Sequence, residues 1–153
     1  MKVAIGCDDA AWELKELIKD YLVKTRAIEF EDVGINSPDE KELYPNVAKK
    51  VANLIQDKKN GIEFGILICG TGIGMALAAN KFKGIRAAVC HDAFSTSRAK
   101  LSNNTNVMTM GARVIGPETA KMMVDIWLDN KYAGGRSESK VNRIDVFEKE
   151  NFA

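Results

Sequence analysis

Short apolar runs alternate along this chain with longer stretches of helical periodicity, and few folds accept that pattern. Val3–Ile5, Ile28–Val33, Phe64–Ile68, Arg86–Val89 and Val107–Met110 are brief and aliphatic, as buried strands are. Between the first two, Ala10–Lys24 places Trp12, Leu14, Leu17, Ile18, Tyr21 and Leu22 at helical spacing. Residues 34–44 form a loop with Asn36, Ser37 and Pro38 as turn formers. Pro45–Lys58 and Pro117–Asn130 each open on a proline suited to a first helical turn. Gly72–Lys81 and Ala93–Lys100 are two further helices, and a last one is expected near Ser139–Glu150, after the Gly134-Gly135 break. Strand–helix repetition of this kind builds an α/β fold, a doubly wound sheet of about five parallel strands. No repeat, low-complexity segment or linker interrupts it, so one domain spanning residues 1–153 is expected.

The composition narrows the function classes. Hydrophobic residues are 46% and charged residues 28%, outside the disordered and fibrous ranges. Lys+Arg 22 against Asp+Glu 21 leaves a formal charge of +1, which offers no electrostatic footprint for nucleic acid or membrane. No apolar run approaches the roughly 20 residues of a membrane span. The opening MKVAIGCDD has no secretory pattern, so a cytoplasmic location is expected. Three cysteines cannot complete a disulfide framework. Cys7, Cys69 and Cys90 instead end aliphatic runs, which in a parallel sheet gathers them at the edge where ligands bind. Each also fits as a small buried hydrophobe.

The stretch richest in chemistry is Cys69-Gly70-Thr71-Gly72-Ile73-Gly74, between a strand and a helix. Its glycines let main chain approach a ligand, and its N–H groups can cradle an anion. No Gly-Lys-Ser/Thr follows, and the glycine spacing is not that of the dinucleotide fingerprint. A tight structural turn is the plain alternative. A helix N-terminus favours thiolate over thiol, so a cysteine placed there can act as nucleophile or general base. His91, the one histidine, follows the fourth strand with Asp92 beside it and fits either a catalytic partner or a loop histidine. Cys7, Cys69, Cys90 and His91 lack the paired spacing of a zinc set. Asp8 and Asp9 follow the first strand, where they can hold sugar hydroxyls or start a helix. Arg113, Arg136 and Lys140 can bind a phosphate or form a solvated basic face.

End to end, the chain resembles the ribose-5-phosphate isomerase B/galactose-6-phosphate isomerase family. The resemblance is carried by GCDD with ELK at 6–15, Tyr44-Pro45, ILICGTGIGMALAANK at 66–81 and GIRAAVCHDAFS at 84–95. NNTNVMTMGARVIG at 103–116 and YAGGR at 132–136 complete it. It implies a three-layer αβα Rossmann-like sandwich, working as a homodimer or homotetramer with shared active sites and without metal or organic cofactor. It implies aldose–ketose isomerisation of a sugar phosphate, as in pentose phosphate metabolism, through a cis-enediol. Cys69 then matches the general base. Gly70, Thr71, Gly72, Ile73 and Gly74 match the loop that stabilises the enediolate, with Thr71 among the catalytic candidates. Asp8 matches a sugar-contacting aspartate, Tyr44 lies in the family's Tyr-Pro element, and Asp9 beside Asp8 is expected on the substrate side with them. Asn103 and Arg113 match ligand contacts that enter from the partner subunit, and Arg136 matches a phosphate-binding arginine.

The chain departs from that pattern at several positions. Asp9 stands where the family has histidine, and Ser102 replaces the histidine that opens the sugar ring. Lys140 replaces a second phosphate-binding arginine, and Ser137 the histidine after GGR. Serine supplies no near-neutral acid, and lysine loses the planar fork. Four readings follow: a ribose 5-phosphate type isomerase; an isomerase of a tetrose 4-phosphate, which cannot close a furanose; a galactose-6-phosphate isomerase subunit needing a paralogous partner chain; or a sugar-phosphate binder without turnover. His91 as a substitute acid is a further expectation.

Overall fold

The computed structural model describes residues 1–152. Its strands are β1 (Lys2–Cys7), β2 (Glu29–Asp32), β3 (Ile62–Cys69), β4 (Ala87–Val89) and β5 (Val107–Gly111). They form one parallel sheet in the order β2-β1-β3-β5-β4. The helices are α1 (Trp12–Lys24), α2 (Tyr44–Gln56), α3 (Ile73–Ala79), α4 (Ala93–Leu101), α5 (Pro117–Asp129) and α6 (Glu138–Asn151). This is the α/β sheet that the strand–helix alternation predicts.

Strand residues alternate between the two faces, which sorts the core into two layers. Val3, Ile5 and Cys7 of β1, Ile66 and Ile68 of β3, and Met108 and Met110 of β5 pack with α1, α4 and α5. Ala4, Leu67 and Cys69 pack on the other side with Val47, Val51 and Ile55 of α2 and Met75 of α3. Helices on both sheet faces give the three-layer αβα sandwich.

Several elements differ from expectation at their ends, each for a local reason. Asp8 draws back the start of α1: its Oδ1 accepts from Ala10 N–H at 3.0 Å and its carbonyl from Ala11 N–H at 3.2 Å. The first helical residue is therefore Trp12. Helix α3 stops at Ala79 because the Asn80 amide exchanges two hydrogen bonds with Ala87, at 2.9 and 2.7 Å. That clamp ties the helix to β4. A single 3₁₀ turn, Gly135–Ser137, precedes α6 and holds Arg136.

The direction of the helices decides where functional residues stand. Trp127, near the end of α5, donates Nε1–H to Thr105 Oγ1 at 2.9 Å, and Thr105 N–H donates to Ala99 O near the end of α4 at 3.0 Å. Thr105 lies just ahead of β5, so both helices end at the N-terminal edge of the sheet. Lys100, in the last turn of α4, lies with its Nζ 3.4 Å from the Phe64 ring centre and 4.0 Å from that of Trp127. Helix α6 attaches at that edge too, where Gly84 N–H donates to Glu148 Oε1 at 2.7 Å and Arg86 Nη1 lies 3.8 Å from Asp145. No helix among the described residues is long and apolar enough to cross a membrane.

Candidate active site

Strand β1 is flanked by β2 on one side and β3 on the other, so connections diverge between β1 and β3. A crevice opens outside the carboxyl ends of strands at such a switch point. Asp8 follows β1 there, and Gly70 follows β3.

Cys69 ends β3, opposite Gly111 of β5 in the register, and is 5% exposed. Gly72 N–H donates to its Sγ at 3.1 Å. Gly72 reaches that pose at φ +78°, and a Cβ there would lie 2.9–3.0 Å from Met110 backbone atoms. Both the left-handed backbone and the close approach require glycine. Ile73 N–H donates to Thr71 Oγ1 at 3.3 Å. The residues around the end of β5 hold the loop from the side. Ala112 N–H donates to Cys69 O at 2.9 Å, Arg113 N–H to Gly70 O at 3.0 Å and Thr109 Oγ1 to Gly72 O at 2.8 Å.

Two side chains lie against this loop, and two carboxylates stand near it at the end of β1. The Tyr44 ring lies against Gly74, where a Cβ would come within 2.7 Å of ring carbons, and Tyr44 stays 40% exposed. The Arg113 guanidinium lies over Gly70, with Nη1 3.4 Å from where a Cβ would stand. Burial, reinforced by the charge of Asp9, raises the Asp8 carboxyl above its usual range against the pull of Ala10 N–H and Arg113. A hydrogen bond from Lys41, at 3.1 Å, holds Asp9 below that range. Asp8, Asp9, Tyr44, the 69–74 loop and Arg113 thus meet at one edge of one chain.

The position of Arg113 corrects an expectation. The resemblance implies that it reaches the site from a partner subunit; here it covers the loop of its own chain. The turn after β5 folds back because Gly111 lets Thr71 pass closely: a Cβ on Gly111 would be 2.5 Å from Thr71 Cα. Ser102 and Asn103, by contrast, follow α4 at the opposite edge of the sheet, and Asn103 borders a groove with Arg86, Ile144 and Phe147. Arg136 and Lys140 come after α5, past that same far edge. These four do not join Cys69 within one chain.

The other cysteines separate from Cys69. Cys7 and Cys90 belong to the α1/α5 layer, and burial pushes their thiols up to about 12 and about 11. Cys69 packs on the other face, which removes the zinc-set arrangement. Sequence reasoning missed Lys41, an exposed loop lysine with no pattern to mark it. It also gave no sign that His91 Nε2 accepts the Gly111 N–H at 2.8 Å. A sulfur bonded by an amide, with an arginine and a carboxylate close by, suits proton removal beside a carbonyl.

A family model for ribose/galactose isomerases matches residues 3–144. A ribose-5-P isomerase B of Listeria innocua is 50% identical over 151 residues, covering 99% of each chain. A D-erythrulose-4-phosphate isomerase of Pectobacterium atrosepticum is 47% identical over 148 residues, 97% of this chain and 95% of the relative. Among solved structures, ribose-5-phosphate isomerase B of Clostridium thermocellum superposes with a TM-score of 0.91 at 39% identity, over 98% of this chain and 99% of the other.

Proposed function

The chain belongs to the ribose/galactose isomerase family, and on that premise we propose that it interconverts the aldose and ketose forms of a phosphorylated sugar with Cys69 as the proton carrier. The observation that carries this reading is the Gly72 N–H aimed at Cys69 Sγ at 3.1 Å, in a loop closed over by Arg113. The Cys69 thiolate takes a proton from the carbon beside the carbonyl. The electron pair moves into a carbon–carbon bond, and the carbonyl oxygen becomes a cis-enediolate oxygen. N–H groups of the 70–74 loop are the donors for that developing charge. The thiol then returns its proton to the neighbouring carbon, and a proton passes between the two oxygens. Nothing is oxidised overall. Asp8 hydrogen-bonds the sugar hydroxyls, Tyr44 covers its apolar side, and Arg113 faces the charged end.

Arg136, Lys140, Asn103 and the Ser102 position complete the site from a second copy of the chain, since α4 and α5 carry them to the opposite edge. A homodimer is the smallest assembly that satisfies this. The substrate is of the ribose 5-phosphate/ribulose 5-phosphate type. A second reading is favoured by Ser102: without an imidazole to open a ring, a tetrose 4-phosphate suits the site better. The erythrulose-4-phosphate isomerase relative supports that alternative.

Incubating the purified chain alone with four-, five- and six-carbon aldose and ketose phosphates tests the proposal. Turnover of at least one is expected, fastest on the tetrose phosphate if ring opening is the missing step. Binding of a sugar phosphate with no interconversion of any would contradict it.

A further inference from the structure

His91 touches the catalytic loop at one remove. Its Nε2 accepts the Gly111 N–H at 2.8 Å. Gly111 is the register partner of Cys69, and its Cα hydrogen faces Thr71 where no Cβ would fit. The next two amides of the same turn, of Ala112 and Arg113, bond the carbonyls of Cys69 and Gly70. The imidazole thus fastens the end of β5 on one side, and the turn leaving it fastens the loop on the other. An Nε2 that accepts a backbone N–H carries no proton, so the neutral ring has its hydrogen on Nδ1.

We propose that His91 is a positioning residue for the isomerisation: as a neutral imidazole it anchors Gly111, and through it sets the Cys69–Gly72 loop and the Arg113 guanidinium. The inference rests on Cys69 being the base. Protonation would place an N–H on Nε2 against the N–H of Gly111, two donors face to face, and release the anchor. Burial lowers the tendency of the ring to charge, and Asp92 opposes this. The segment that the ring faces, Met110 to Ala112, holds no titratable group; the next along the two strands are Cys69 and Arg113. The anchor therefore holds at neutral pH and fails in acid.

Because the chain has one histidine, its imidazole resonances are unambiguous. The experiment combines ¹⁵N NMR of that ring across pH with steady-state kinetics of H91L, H91Q and C69A on the sugar phosphate that the wild type turns over. The ring is expected as the Nδ1–H tautomer, gaining its second proton at lower pH than a free imidazole. H91L should lose about ten- to a hundredfold in kcat with KM nearly unchanged, the scale on which small misplacements of reacting groups act. H91Q, whose amide oxygen can accept in place of Nε2, should recover most of that loss and lose the ring's own step from the acid limb of the kcat profile, leaving the part that the need for a Cys69 thiolate imposes. An Nε2–H tautomer, a wild-type kcat in H91L, or equal loss in H91L and H91Q with the acid limb intact would each overturn the inference. Full turnover in C69A would overturn the base assignment instead, because the tautomer and the behaviour of the His91 variants are read without reference to which group takes the proton.

Discussion

Burial raises the Cys7 and Cys90 thiols, outweighing the attraction of Lys15 for one and a Thr96 hydrogen bond to the other. Cys69 differs by one residue of strand parity, which turns it to the other face, and by the Gly72 N–H donating to its sulfur. Such single-residue distinctions recur through the chain. Lys100 is 4% exposed between Phe64 and Trp127, and burial pushes its amine down to about 8. The unfolded chain keeps that proton up to the ordinary lysine value of 10.5. Below about 8 both states are charged, and the folded state bears the burial cost. Between about 8 and 10.5 the unfolded state binds more protons, so the contribution of this residue to stability rises with pH. In Lys100→Met that rise is absent. The stability of the variant relative to wild type should fall by about 1–3 kcal/mol across the window, part of the shift being offset by attraction to the rings. Paired chemical denaturations across that pH range check it, since alkaline titration of Cys7 and Cys90 affects both proteins alike. A constant difference would mean that Lys100 keeps its proton in the fold.

At the level of elements, the sheet was legible because buried parallel strands concentrate aliphatic residues and helices bury stripes. Even three-residue β4 stood out between Gly84 and Cys90. Element ends were less legible where side chains set them: Asp8 shortens α1, and Asn80 stops α3 by clamping Ala87. The glycine-rich loop and its cysteine were readable, since glycine spacing after a strand announces close main-chain approach. The turn after β5 was not. The contact of Gly111 with Thr71 and the hydrogen bond that its N–H donates to His91 are long-range, and nothing local in the sequence encodes them. That is why the place of Arg113 over its own Gly70 was not readable. Lys41 was hidden for a simpler reason: an exposed lysine in a loop resembles any other.

Across the whole molecule, the residues proposed for the reaction fall into two groups at opposite sheet edges. Cys69, Asp8, Tyr44 and Arg113 stand at the carboxyl ends of the strands. Ser102, Asn103, Arg136 and Lys140 follow helices that run back, and α5 alone covers about 20 Å in its 13 residues. The shared-site proposal follows from that separation and makes a specific demand. C69A and R136A should each be inactive as purified, yet unfolding and refolding them together should recover roughly a quarter of wild-type turnover, because half the chains pair into mixed dimers with one intact site each. No recovery would place both residues in the site of one chain. The central claim, that the Cys69 sulfur moves the proton, is tested most directly by deuterium incorporation from D₂O at the reacting carbon of the substrate, followed by NMR in wild type and C69A. Wild type should introduce deuterium beside the carbonyl, while C69A binds the same sugar phosphate and introduces none. Exchange in C69A at the wild-type rate would contradict the account.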